Sequence, residues 1–219
     1  MSAVDLPKAP LETGRRGVSA YRVMALAGDG VGPEIVAAAQ RVLAAVAERY
    51  EFTLAYQEGL IGGRAIDELG LPMEDGLAER CRTCDAVLLG AVGGPKWDTT
   101  DPAKPRPEQG LLGMRKGLEL FANLRPVKSF AALAATSTIK PEVIAGVDIV
   151  VVRELTGGVY FGKSERVGDT AYDTMLYTDA ECDRLLDYAF RLAAQRRGLV
   201  HSVDKANVLE SSRLWRGGG

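Results

Sequence analysis

Three arginines are the first residues whose type and spacing suggest chemistry. Arg115 and Arg125 stand ten positions apart, and Arg153 closes the apolar run 147–152. A guanidinium at the end of a buried strand needs a partner, because a bare charge there is costly. Three of them meeting in one pocket would clamp carboxylates through paired hydrogen bonds. The alternative is three separate surface ion pairs. Tyr160 and Lys205 are candidate acid and base groups. A lysine serves as a base where burial or cationic neighbours favour its neutral form, and without them it is a solvated surface group. Gly28, Gly30 and Gly32 form a glycine turn ahead of a helix, where backbone N–H groups and the helix dipole favour an anion. The dinucleotide fingerprint G-x-G-x-x-G is not met: the third glycine comes one residue early and Pro33 follows it. An anion cradle and a purely structural turn both stay open. Cys81 and Cys84 make a C-x-x-C, but only Cys182 and His201 remain to complete a zinc site, so the pair reads as two half-buried thiols.

The elements that position these residues alternate. An apolar run at 21–27 meets the glycine turn, and Ile35, Ala39, Val42 and Val46 then recur at helical spacing. Strand candidates follow at 52–56 and 86–92, the latter a continuous apolar run that suggests a buried parallel strand. Residues 93–110, rich in proline and glycine, read as a long functional loop. A helix is expected at 111–121 and a buried strand at 147–155. The segments 157–162 and 170–178 read as an antiparallel pair. Thr178 and Glu181 form a capping box that opens a helix with Cys182, Leu185, Leu186, Ala189, Phe190 and Ala193 on one face, ending at Arg196-Arg197-Gly198. A further strand is expected at 199–204 and a helix at 207–215. Strand–helix alternation predicts an α/β fold with a largely parallel sheet. The expected division is a disordered tail over 1–20, a first α/β domain over 21–119, and a second, dimer-forming domain over 120–219 with an antiparallel arm around 157–178.

Composition narrows the classes. The chain has 219 residues, 47% hydrophobic and 26% charged, enough for a substantial core. Lys and Arg number 27 against 29 Asp and Glu, a net charge of −2, which argues against an electrostatic nucleic-acid binder. No apolar run approaches the ~20 residues of a membrane span. Three cysteines argue for a reducing compartment. Arg15-Arg16 precede no apolar signal core, so the expected location is cytoplasmic.

Longer motifs then coincide. GDGVGPE (28–34), GAVGGPKWD (90–98), GLLGMRKGLELFANLRPVK (110–128), VVRELTGGVYFG (151–162), AYDT (171–174) and SVDKANVLESSRLWR (202–216) together resemble the isocitrate/isopropylmalate family of β-decarboxylating dehydrogenases, on its isopropylmalate branch. The resemblance implies that family's two-domain fold. It also implies NAD-linked, Mg2+- or Mn2+-dependent oxidation of 3-isopropylmalate, loss of CO2 to give 2-oxo-4-methylpentanoate, and a place in leucine biosynthesis. It assigns Arg115, Arg125 and Arg153 to the malate carboxylates, Tyr160 to protonation of the enol, and Lys205 to the hydroxyl proton in the partner subunit's site. Those shared sites imply a homodimer. Leu111 and Leu112 would meet the isopropyl group, which disfavours a substrate with a third carboxylate. Gly93, Gly94, Pro95, Lys96, Trp97, Glu108 and Asn207 would lie along the cofactor.

The resemblance stops before the family's metal-binding aspartates and its later glycine-rich adenosine segment. The chain is therefore expected to be an N-terminal portion, without metal ligands and inactive by itself. Two alternatives remain: a non-catalytic remnant that binds a dicarboxylate or dimerises, and a related dehydrogenase acting on tartrate, malate or homoisocitrate.

Overall fold

A computed structural model describes residues 19–218, apart from Pro102. Most of the expected tail, with Arg15 and Arg16, lies outside the described residues; Ser19 and Ala20 already belong to the first strand. Two compact units divide between Leu111 and Leu112. Among the described residues no helix is long and apolar enough to cross a membrane.

Unit 1 holds β1 (Ser19–Gly28), α1 (Gly32–Arg49), β2 (Phe52–Glu58), α2 (Gly63–Leu69), α3 (Leu77–Arg82) and β3 (Ala86–Ala91). The strands make a parallel sheet in the order β2-β1-β3. As its central strand, β1 buries Val23, Met24, Ala25 and Leu26. β3 is an outer strand of this sheet and stays half-buried, unlike the fully buried strand its apolar run suggests.

The face of α1 is a correction. Gly32, Val36 and Ala47 are buried, while Ile35, Val42 and Val46 of the expected stripe are exposed. The physical reason is Gly32, where a Cβ would stand 2.0 Å from the Ala27 carbonyl oxygen. That close approach sets the rotation of the helix, and α1 carries a second apolar stripe on its outer side.

α4 (Pro107–Gly117) crosses the boundary between the units, starting before the expected 111 and ending before 121. Unit 2 continues with β4 (Ala122–Lys128), α5 (Pro141–Ile144), β5 (Asp148–Glu154), β6 (Ser164–Val167), β7 (Thr170–Asp173), α6 (Asp179–Ala194) and α7 (Glu210–Gly217). β4 pairs antiparallel with β5, and β6 with β7. β5 is therefore neither parallel nor fully buried; Ile149 and Val151 are exposed. The expected strand at 157–162 is replaced by a 3-10 turn at Gly158–Tyr160, and the antiparallel pair forms further on. Gly158 explains this: its φ of 76° lies outside the strand region.

α6 begins as expected. The Thr178 hydroxyl accepts from the Glu181 N–H, and the Glu181 carboxylate accepts from the Thr178 N–H. Cys182, Leu185, Leu186 and Ala193 are buried beneath it, whereas Phe190 is exposed. Residues 199–204 form no strand, because no neighbouring chain pairs with them among the described residues.

Candidate functional site

The three arginines come together inside unit 2. The β4–β5 ladder pairs Arg125 with Val151 and Asn123 with Arg153. Directly paired residues share a face, and so do residues two apart on a strand. Arg125 and Arg153 are thus diagonal neighbours on one face of the hairpin. Arg115 joins them from the last turn of α4. Burial lowers its pKa from the ordinary guanidinium value, and the charges of Arg153 and Arg125 lower it further, while Tyr160 acts in the opposite direction. The Arg153 guanidinium carbon stands 5.5 Å from the Tyr160 ring centroid. Among the described residues none of these three arginines forms an ion pair with a carboxylate. Among the described residues the Arg125 side chain makes one long bond, 3.4 Å, to the Asn123 side-chain oxygen. Crowded, unpaired like charges are unfavourable and attract an anion with more than one negative group.

A buried carboxylate that sequence reasoning missed shapes the turn beside this cluster. Glu154 accepts from the Thr156 N–H, the Thr156 hydroxyl and the Gly157 N–H, the shortest at 2.7 Å. Arg184 approaches it at 3.5 Å. Burial pushes its pKa up, but the bonds from Thr156, Gly157 and Leu155 outweigh that and hold the carboxyl below its ordinary range. Tyr177 packs over Gly157 and Gly158 so closely that a Cβ at either would fall within 2.7 Å of it. The turn is thereby fixed, and Tyr160 stands at its end, largely exposed.

α4 adds an apolar segment. Glu108, Leu111, Leu112 and Arg115 follow i, i+3, i+4, i+7 spacing and share one helix face. The adjoining face packs, with Met114 buried and Gly110 so close to the Pro72 carbonyl that a Cβ would stand 2.0 Å from its oxygen. The two leucines, half-buried, therefore lie between an acidic and a basic end.

The expected cofactor loop lies in unit 1. Gly93 has a φ of 103°, and a Cβ there would stand 3.0 Å from a Glu108 carboxylate oxygen. Residues Pro95–Trp97 form a 3-10 turn after Gly94. Lys96 Nζ binds Asp67 at 2.6 Å, and the Trp97 indole N–H donates to the same carboxylate at 3.1 Å. These bonds hold the Asp67 pKa below its ordinary value. Lys96 and Trp97 thus shape the loop, while Glu108 is left exposed.

Asp29, inside the glycine turn, is the other residue that sequence reasoning passed over. It is 3% exposed, and its carboxylate accepts from the N–H groups of Gly63 (2.8 Å), Arg64 (2.8 Å) and Gly93 (2.7 Å). A Cβ at Gly28 would stand 2.0 Å from the Ala91 carbonyl oxygen. The turn is filled by protein, which favours the structural reading over the anion cradle. The charge and position of Asp29 were visible in G-D-G; its three backbone partners were not.

Lys205 and Asn207 are exposed in the turn before α7. Cys81 is buried on α3, and burial raises its thiol pKa, which keeps it protonated and unlike a zinc or redox thiolate.

The chain matches the isocitrate/isopropylmalate dehydrogenase family over residues 22–218. It is 54% identical over 201 residues to a 3-isopropylmalate dehydrogenase of Bacillus licheniformis, covering 89% of this chain and 54% of the relative. A 3-isopropylmalate dehydrogenase of Halalkalibacterium halodurans is 56% identical over 200 residues, with 89% and 55% covered. Among solved structures, a β-decarboxylating dehydrogenase of Thermococcus kodakarensis superposes with a TM-score of 0.65 at 34% identity, covering 90% of this chain and 52% of that one. An isocitrate dehydrogenase of Methylococcus capsulatus gives 0.70 at 26% identity, with 90% and 55% covered. The chain spans about half the length of the curated relatives it matches.

Proposed function

Because this chain belongs to the isocitrate/isopropylmalate dehydrogenase family, we propose that its second unit is the substrate-binding part of a cytoplasmic, homodimeric 3-isopropylmalate dehydrogenase of leucine biosynthesis. The carrying observation is the group of three arginines with no carboxylate partner among the described residues, with Arg153 over the Tyr160 ring. Arg115, Arg125 and Arg153 hold the two carboxylates of the substrate and orient its hydroxyl-bearing carbon. Leu111 and Leu112, on the same helix face as Arg115, cover the isopropyl group and leave a third carboxylate unpaired. Lys205, reaching the partner subunit's site, takes the hydroxyl proton. Bound NAD supplies hydride acceptance. As CO2 leaves, the C–C bond electrons form an enolate, Tyr160 gives its phenolic proton to the enolate carbon, and 2-oxo-4-methylpentanoate results.

For NAD, the surface that fits is the Gly93–Gly94 backbone with the exposed Glu108 carboxylate, an acceptor for a ribose hydroxyl; Pro95, Lys96 and Trp97 support that loop, and the family resemblance alone assigns Asn207 to the nicotinamide. The Mg2+ or Mn2+ of the family finds no fitting ligand set: among the described residues no three His, Cys, Asp or Glu side chains gather to hold a cation.

Calorimetric titration of the chain with 3-isopropylmalate and with malate tests the reading. Arg115→Ala and Arg153→Ala should each weaken 3-isopropylmalate binding at least tenfold. Equal affinity in the variants and the parent chain, or preference for malate, would remove the assignment.

A further inference from the structure

The β4–β5 hairpin carries a fourth polar side chain beside the arginines. Asn123 pairs directly with Arg153 across the ladder and stands two residues before Arg125. Direct partners share a face, and so do residues two apart, so Asn123 lies on the arginine face, next to both positions. Its backbone is held firmly. Leu155 N–H donates to the Phe121 carbonyl at 3.0 Å, just past the end of the ladder. Bonded pairs alternate with non-bonded ones in an antiparallel ladder, so two residues further in Asn123 and Arg153 form a bonded pair.

The Asn123 side chain is half-buried, and its oxygen accepts from the Arg125 Nε–H. A guanidinium only donates, so the amide oxygen must face Arg125 and the NH2 end is left for another acceptor. Among the described residues that NH2 has none. Nor is it sealed in: among the described residues the buried side-chain atom without a partner is the Tyr56 hydroxyl. The carboxylate nearest in the ladder cannot take it. Glu154 pairs with Ala122, which puts it on the other face of the hairpin, where Thr156 and Gly157 satisfy it. Asn123, Arg125 and Arg153 together therefore present donors that lack an acceptor, and a carboxylate is the group that accepts from several donors at once. A neutral amide suits this place. An aspartate of the same shape would pair with the arginines and fill the site from within.

We propose that Asn123 is a substrate-binding residue: its NH2 donates to an oxygen of the carboxylate that Arg125 and Arg153 hold, while its own oxygen keeps the Arg125 guanidinium turned toward that carboxylate. The proposal rests on the dicarboxylate reading of the arginine cluster.

The test is calorimetric titration of the 219-residue chain with 3-isopropylmalate. The parent is compared with Asn123→Ala, Arg125→Ala and the double variant, each checked for an unchanged far-UV circular dichroism spectrum. Asn123→Ala should weaken binding about tenfold, the loss of one bond to a charged group. The double variant should bind at least roughly fivefold more weakly than Arg125→Ala, because direct donation survives the loss of Arg125. Equal affinity of those two overturns the proposal, since Asn123 then acts only through Arg125. Asn123→Asp keeps the shape of the side chain and should bind more weakly than Asn123→Ala; an aspartate variant as tight as the parent also overturns the proposal. Binding that Arg125→Ala weakens and Asn123→Ala leaves unchanged overturns this inference alone. No binding by the parent overturns both it and the dicarboxylate reading.

Discussion

Replacing Asp29 by asparagine keeps the shape of the side chain and removes its charge. One carboxylate oxygen accepts from Gly63 and Gly93, and the other from Arg64. The amide oxygen of asparagine can keep the first two bonds. Its NH2 then meets the Arg64 N–H, a donor facing a donor. A buried N–H left without an acceptor costs about 1–3 kcal/mol, and each bond that changes from charged to neutral loses up to ~1 kcal/mol. Asp29→Asn should therefore lower the stability of unit 1 by about 3 kcal/mol, on the order of a hundredfold in the folding equilibrium. The two tryptophans fall one in each unit, and Trp97 packs on Gly63, next to the anchored amides. In a Trp215→Phe background, urea unfolding followed by Trp97 emission reads unit 1 alone. Amide exchange at Gly63, Arg64 and Gly93 should accelerate together. A loss below about 1 kcal/mol, with those three amides unchanged, would refute the view that Asp29 ties α2 and the Gly93 loop to the glycine turn.

Glu154 has a depressed pKa when folded, so its contribution is fully present above the unfolded carboxylate pKa and is lost as pH falls through the lower folded value. The stability gap between the parent chain and Glu154→Gln should then shrink from about pH 7 to about pH 3 in urea titrations; a constant gap argues against it. In this chain joined to the unmatched half of a family member, Leu112→Ala should cost roughly tenfold in the kcat/KM preference for 3-isopropylmalate over malate, and an unchanged ratio places the pocket elsewhere. In the same fusion, Lys205→Ala and Arg125→Ala chains, each nearly inactive, should regain up to about half of parent activity per hybrid dimer when refolded together. Hybrid dimers confirmed by mass but without activity would place Lys205 in its own subunit's site.

Much of the site was legible because it depends on local pattern. The capping box at Thr178 needs only residues three apart. The helix face of Glu108, Leu111, Leu112 and Arg115 needs only the helical period. The three arginines were marked by their chemistry and by the motifs around them. Asp29 and Glu154 were not marked, because what makes each a hub is backbone from other segments or a turn whose geometry depends on packing. Glu154 follows Arg153 directly and alternates to the other face of β5, which hides it from a reading centred on the arginines.

The sequence by itself determined the strands β1, β2 and β3, the helices α1 and α6, the α/β class, the family and the charged residues available for a dicarboxylate. Period and residue type act within a few neighbours, so one chain read in order suffices. Tertiary structure decided which faces are inside. Gly32, pressed against the Ala27 carbonyl, turned α1 so that Val36 rather than Ile35 is buried. The β4–β5 ladder set Asn123, Arg125 and Arg153 on one face. It also decided that 199–204, strand-like in composition, lies unpaired, because a strand is defined by a neighbour's hydrogen bonds and not by its own residues.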